Sequence, residues 1–346
     1  MKKILLYADF GAGNIVFLMP LAAALWNNAK GYEVDVLLFD NNPAVKLLNE
    51  APYINRIINV NTKLFGKRNK LFALINLFFL KLNHDILVIR FSRSKLLKAL
   101  CFFKKFNEII GHENYYEHKT SLSHLLTHSN VAKFDQHEID INLQLVPLFE
   151  KAGSASQWEQ CFRDLGKLKT LVTDNANEKG VCVIHPGSSV KQDWKRLPIQ
   201  DWCDVSNEIL TKYDLLVVVG TNDERHLGEQ IKSKVSAPER VKNLSGELSI
   251  LDTVRVLNMA DLFLGADSFI IHLAAALDVE VIGFYGPTDW TRTYPKGQNV
   301  TILRQNCACN LKGRLDPATI ALIDECRGRC MIKFNIEKLS QTIKGL

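Results

Sequence analysis

Two short clusters in this chain have the residue types of an anion- and sugar-binding site. The first is His185-Pro186-Gly187-Ser188-Ser189, with Lys195 six residues further on. Hydroxyls and backbone N–H groups suit a phosphate, and an ammonium supplies the countercharge. Lys191 and Arg196 lie close by, so spacing alone does not single out Lys195. The second is Asp267-Ser268, with His272 one helical turn on. It sits in a run that reads as strand 262–265, acidic turn, helix 270–277, strand 279–285 and a Gly286-Pro287 turn. A helix that starts at the carboxyl end of a strand offers unpaired N–H groups and a positive pole, which suits a diphosphate. Asp267 can accept hydrogen bonds from sugar hydroxyls, and His272 fits either this site or an ordinary buried helix position. Gly220 followed by Asp223-Glu224 ends another apolar run. A carboxylate there could take ribose hydroxyls, although acids at a helix start are favourable without any ligand. The combination points to a nucleotide-sugar site.

The elements that must position these residues follow an alternating rhythm. Strands are expected over 3–8, 33–39, 56–60, 85–90 and 108–111, with a helix over 14–27 and further helical stretches between. Gly11-Ala12-Gly13 lets the backbone turn tightly out of the first strand. It lacks the third glycine of a dinucleotide fingerprint, and only Asp40 could close the second strand, so a dehydrogenase is disfavoured. Residues 150–179 are polar and without strand pattern, and the rhythm then restarts: strand 181–185, helix 199–211, strand 215–220, helix 249–259. Ser249 and Asp252 nearly form a capping box for that last helix. Strands alternating with helices predict parallel, doubly wound α/β sheets. Two domains are expected, 1–160 and 176–346, facing across a cleft with ligands beyond the carboxyl ends of the strands.

Composition narrows the classes. With 47% hydrophobic and 23% charged residues the chain has globular rather than disordered character. The apolar run 71–80 has ten residues and includes Asn76, whereas a bilayer span needs about 20. The apolar start is too short for a signal peptide, so a cytoplasmic location is expected. From Arg56 to Lys105 there are twelve Lys and Arg against one acid, Asp85, although the whole chain is only +6. Such a zone fits a solvated face or an acidic partner. Nucleic acid is set aside because no zinc-finger, RNP or helix-turn-helix pattern occurs. A phosphorylated glycolipid or an anionic membrane surface remains, with Lys63, Lys67, Arg68, Arg90 and Arg93 as candidate acceptor contacts. Cys307, Cys309, Cys326 and Cys330 crowd near the end. Their spacing departs from the usual zinc pairing, so reduced structural thiols with no metal are the preferred reading and a bound metal the alternative.

In order along the chain, the motifs Gly11-x-Gly13-Asn14 with Pro20, His185-Pro-Gly-Ser-Ser, Lys195-x-x-Pro198, Trp202, Gly220-x-x-Asp223-Glu224, Leu244-Ser-Gly246, Asp267-Ser268-x-x-x-His272 and Gly286-Pro-Thr-Asp289 resemble glycosyltransferase family 9. These are the heptosyltransferases of lipopolysaccharide core synthesis. The resemblance implies a GT-B fold and inverting, metal-independent transfer from a nucleotide-sugar donor, ADP-heptose in the best-known members, to a lipid-linked saccharide. No cofactor is implied. Ser188, Ser189 and Lys195 would hold the diphosphate, Glu224 the ribose and Leu248 the base, with Asp267, Ser268 and His272 bordering sugar and phosphates. The protein would work at the inner face of the inner membrane as a peripheral protein. Two positions depart from the family pattern: Phe269 replaces a glycine, and Asn14 replaces the aspartate proposed as general base. An amide cannot accept a proton at working pH. Either Asp9 serves as base, or Asn14 only orients the acceptor, or the chain is a catalytically weak binding member. A nucleotide-sugar epimerase of the same fold is the other enzyme class considered.

Overall fold

A computed structural model describes the chain except for residues 9–10, 27–30, 41, 43, 65–66, 91–93, 116–117, 120–121, 134–135, 151–179, 306–325, 327–328, 333 and 346. Two compact units result, Met1–Cys161 and Phe162–Leu346.

The first unit is built on β1 (Lys3–Ala8), α1 (Ala12–Trp26), β2 (Glu33–Phe39), α2 (Val45–Glu50), β3 (Arg56–Val60), α3 (Lys70–Phe79), β4 (Ile86–Ile89), α4 (Lys95–Phe103), β5 (Glu108–His112), β6 (His128–Asn130) and α5 (Glu138–Leu143). Its sheet runs β6-β5-β4-β1-β2-β3, every pairing parallel. Continuous apolar runs such as Ile4-Leu5-Leu6-Tyr7 form its central strands because both faces are covered. α1 carries no charged side chain and is buried from Ile15 to Leu25; a helix apolar all round belongs inside. It begins at Ala12, two residues earlier than its apolar pattern indicates. Asp40, the one acid that could have served a dinucleotide ribose, accepts instead from the Thr62 N–H (2.8 Å) and hydroxyl (2.6 Å).

The second unit repeats the scheme with β7 (Val181–His185), α6 (Ile199–Ile209), β8 (Leu215–Val218), α7 (Arg225–Lys234), β9 (Val241–Asn243), α8 (Ile250–Asn258), β10 (Leu262–Ala266), α9 (Phe269–Ala276), β11 (Glu280–Tyr285), β12 (Val300–Arg304) and α10 (Ile336–Gly345). Its parallel sheet is ordered β9-β8-β7-β10-β11-β12. Ser249 and Asp252 complete the capping box at α8: Asp252 N–H donates to Ser249 Oγ, and Asp252 accepts from the Ser249 N–H. Trp202 lies in the core, edge-on to Phe284 with ring centroids 5.3 Å apart. In each unit the strand order reverses beside the unit's first strand. That switch point leaves a crevice at the carboxyl ends of the two central strands, where such sheets bind ligands.

Candidate functional site

In the second unit the switch point falls between β7 and β10, so His185 and Asp267-Ser268 stand at neighbouring strand ends. His185 Nδ1 lies 3.2 Å from Ser268 Oγ, and its Nε2 lies 3.4 Å from Glu224 Oε2. The imidazole therefore links the loop after β8 to the start of α9. The sequence places His185 in the His185-Pro-Gly-Ser-Ser cluster without giving it a contact of its own; the available signal is a histidine closing an apolar run at the reversal of strand order.

Lys195 donates to Asp267 Oδ2 at 2.8 Å and lies 3.4 Å from the Asp267 carbonyl oxygen. Each side chain is only 11% exposed. Pairing offsets the cost of placing either charge there alone. Ser268 occupies the N-cap position of α9, yet its side chain makes no capping hydrogen bond. Its hydroxyl faces His185 instead, so it does not take up the N–H groups of the first turn. An ammonium, a helix start and a serine thus converge, the set expected for a diphosphate.

Ser188 is buried, donating to the Gln192 carbonyl at 2.8 Å and accepting from Arg196 Nε at 3.1 Å. Ser189 is exposed. Of the two serines read as phosphate ligands, Ser188 is also a brace for its loop. Arg196 holds that loop through the Ser188 carbonyl as well, at 2.5 Å, which distinguishes it from Lys195.

Glu224 is buried and accepts from the Thr221 N–H at 2.7 Å and the Thr221 hydroxyl at 3.0 Å. Burial pushes its carboxyl up, but His185 and the two Thr221 donors outweigh this and hold it at about 2. It stays a carboxylate through the physiological range. Its Oε1 would lie 2.1 Å from a Cβ placed on Gly187, so a side chain there would displace the carboxylate. Gly246 has φ +79°, and its N–H donates to the Gly220 carbonyl at 2.9 Å. This joins the loop carrying half-buried Leu248 to the loop carrying Glu224. His272 is buried on α9, and Phe269 is half-buried at its first position.

In the first unit the switch point lies between β1 and β4. Asn14, at the start of α1, is half-buried, and its N–H donates to the Gly11 carbonyl at 3.0 Å. Asp9 lies outside the described residues, as does Arg93. Lys63 is exposed on a two-stranded hairpin, Lys63–Leu64 with Lys67–Arg68; the side chains of Lys67 and Arg68 are outside the description. Arg90 departs from the surface role expected of it. It is buried and ion-paired with Glu138 of α5, because a guanidinium inside a unit requires a carboxylate partner. Cys307 and Cys309 lie outside the described residues; Cys326 and Cys330 are not joined in a disulfide, and their sulfurs lie 3.8 Å apart. Among the described residues no cluster of ligating side chains could hold a metal ion. Among them, too, no helix is long and apolar enough to cross a membrane.

Two doubly wound units, the second with a diphosphate-type site at its switch point, define a protein of the GT-B fold. More narrowly, the chain belongs to glycosyltransferase family 9 (heptosyltransferase), whose family model matches residues 95–316. It is similar to lipopolysaccharide heptosyltransferase 3 of Escherichia coli (strain K12), at 23% identity over 300 residues, 83% of either chain. Its fold resembles the family 9 glycosyl transferase of Veillonella parvula DSM 2008, with a TM-score of 0.75 at 14% identity, covering 99% of this chain and 97% of that one. It also resembles E. coli heptosyltransferase WaaC with ADP, with a TM-score of 0.69 at 17% identity, covering 94% of this chain and 99% of that one.

Proposed function

We propose that the chain transfers a heptose from ADP-heptose to a lipopolysaccharide-core or related anionic glycolipid, with inversion and without a metal. The carrying observation is the Lys195–Asp267 pair set beside the start of α9. On this reading the acceptor hydroxyl oxygen attacks the anomeric carbon as its bond to the diphosphate breaks, and the electron pair leaves with ADP. Lys195 and the α9 N-terminus stabilise the charge that develops on the departing diphosphate. Ser188 and Ser189 border the phosphates, Glu224 takes the ribose, Leu248 lies against the base, and Asp267 and His272 border the sugar. The bound pair gives Lys195 a partner before the donor arrives, so donor binding replaces one anion by another.

The first unit would receive the acceptor, with Asn14 orienting its hydroxyl. Asp9, five residues earlier, is the nearest carboxylate in sequence to take the proton. Within the basic zone, Lys63, Lys67, Arg68 and Arg93 are the residues suited to Kdo or phosphate groups on the acceptor. Peripheral association with an anionic membrane surface, at the inner face of the inner membrane, belongs to the same reading.

Calorimetric titration with ADP tests the donor site. Lys195→Ala should weaken binding by about 1.5–3 kcal/mol, the usual worth of a hydrogen bond to a charged group. Asp267→Ala should weaken ADP-heptose more than free ADP. Unchanged ADP affinity in Lys195→Ala would remove Lys195 from the site.

A further inference from the structure

An exposed apolar ridge covers the outer face of α3. Leu71, Ile75, Phe78 and Phe79 recur at i, i+4, i+7 and i+8, while Ala73 and Leu77 on the opposite face are buried. Leu71 is 67% exposed and Phe79 73%. α4 adds Phe102, 85% exposed, opposite Leu97 and Leu100, which enter the core. A helix folded onto a sheet needs one apolar stripe; α3 has a second that the core does not use. The rings run together across both helices, with centroids 5.2 Å apart for Phe78–Phe79, 5.6 Å for Phe78–Phe103 and 5.5 Å for Phe102–Phe103.

Lysines frame this ridge. Lys70 opens α3, Lys81 follows it, and Lys98 and Lys105 are exposed on and just after α4. Lys104 donates to the Phe78 carbonyl at 3.0 Å, which fixes an ammonium beside the aromatic group. The one acid of the segment, Asp85, is occupied by the Lys3 N–H and lies near the Asn107 amide.

Contiguous apolar surface of this kind marks a site of contact, and the charges select what it meets. A second copy seated face to face would bring two lysine frames together, and like charges so placed repel. Anionic lipid complements both features: rings enter the boundary between headgroups and acyl chains while ammonium groups meet lipid phosphates. We infer that the α3–α4 ridge is the surface on which this protein seats itself on an anionic lipid bilayer. The inference rests on the reading of a membrane glycolipid as acceptor, and it assigns the contact to residues other than those proposed for donor and acceptor.

Flotation of the full chain with phosphatidylglycerol-containing vesicles, and with phosphatidylcholine vesicles as reference, tests it. The wild type should float with the anionic vesicles. Phe79→Ser/Phe102→Ser should weaken that binding about tenfold or more, at every salt concentration. Lys98→Glu/Lys105→Glu should weaken it about tenfold or more at low salt, the difference shrinking as salt screens the charges. Both variants should melt like the wild type and transfer sugar to a deacylated, water-soluble acceptor at the wild-type rate. Wild-type binding retained in both variants would overturn the inference, and so would a wild-type dimer that the phenylalanine variant turns into monomers. Vesicle binding by the wild type that both variants lose, with no sugar transfer by the wild type to any acceptor, would leave the docking surface standing and remove the proposed reaction instead.

Discussion

Glu224 shows how one side chain can serve both architecture and chemistry. Its carboxylate closes the turn at Thr221, meets His185 and lies against Gly187. Its pKa is held at about 2 against an ordinary value of 4.5. A depressed carboxylate contributes stability above its unfolded pKa and loses it as pH falls through the folded one. The loss attributable to Glu224 should therefore appear between pH 4.5 and about 2. Melting temperatures measured across that window should fall more steeply for the wild type than for Glu224→Gln. Parallel curves would mean that the depressed ionisation of Glu224 adds nothing to stability in that window. Asn14 poses the opposite case, a residue whose chemistry is weaker than the position invites. Asn14→Asp should be tolerated and should raise turnover if a carboxylate there can take the acceptor proton.

The loops at the strand ends carry the site, and their geometry depends on close backbone approaches. Gly187→Ala would drive a methyl group into the Glu224 carboxylate. Overpacking of this kind costs about 1–3 kcal/mol, so the denaturation midpoint should drop and ADP affinity with it. A variant as stable as wild type, binding ADP equally, would show that the loop relaxes freely. Strands rich in β-branched and aliphatic residues were legible in the sequence: β1, β2, β3 and β7 have the bounds their residues indicate. The capping box of α8 was legible as well, because it is written in four consecutive residues. Short edge strands were not. β6 is His-Ser-Asn and β9 is Val-Lys-Asn, three residues each, with no pattern that separates them from loop. The candidate site was legible as a set of residue types following strands. The pairing of Lys195 with Asp267, 72 positions away, and of Arg90 with Glu138 was not, because partners across a sheet are fixed by strand order and not by spacing.

At the scale of the molecule, two units share one strand order but differ in what they present. The first carries the basic segment from Arg56 to Lys105 and the exposed aromatic ridge; the second carries a compact acid–base set at the end of β7 and β10. That division of labour is what a transferase needs when one substrate is a soluble nucleotide sugar and the other sits in a lipid surface. Family membership covers the class of reaction; the central claim is that this chain, with Asn14 where a carboxylate is usual, still completes the transfer. Incubation of the purified protein with ADP-heptose and a deacylated core acceptor, with the products read by mass spectrometry, tests that claim most directly. One heptose added per acceptor, with matching release of ADP, and slower transfer in Lys195→Ala, is the predicted result. Binding of ADP-heptose by the wild type with no product formed, while Asn14→Asp does form product, would contradict it and make the natural chain a binding protein.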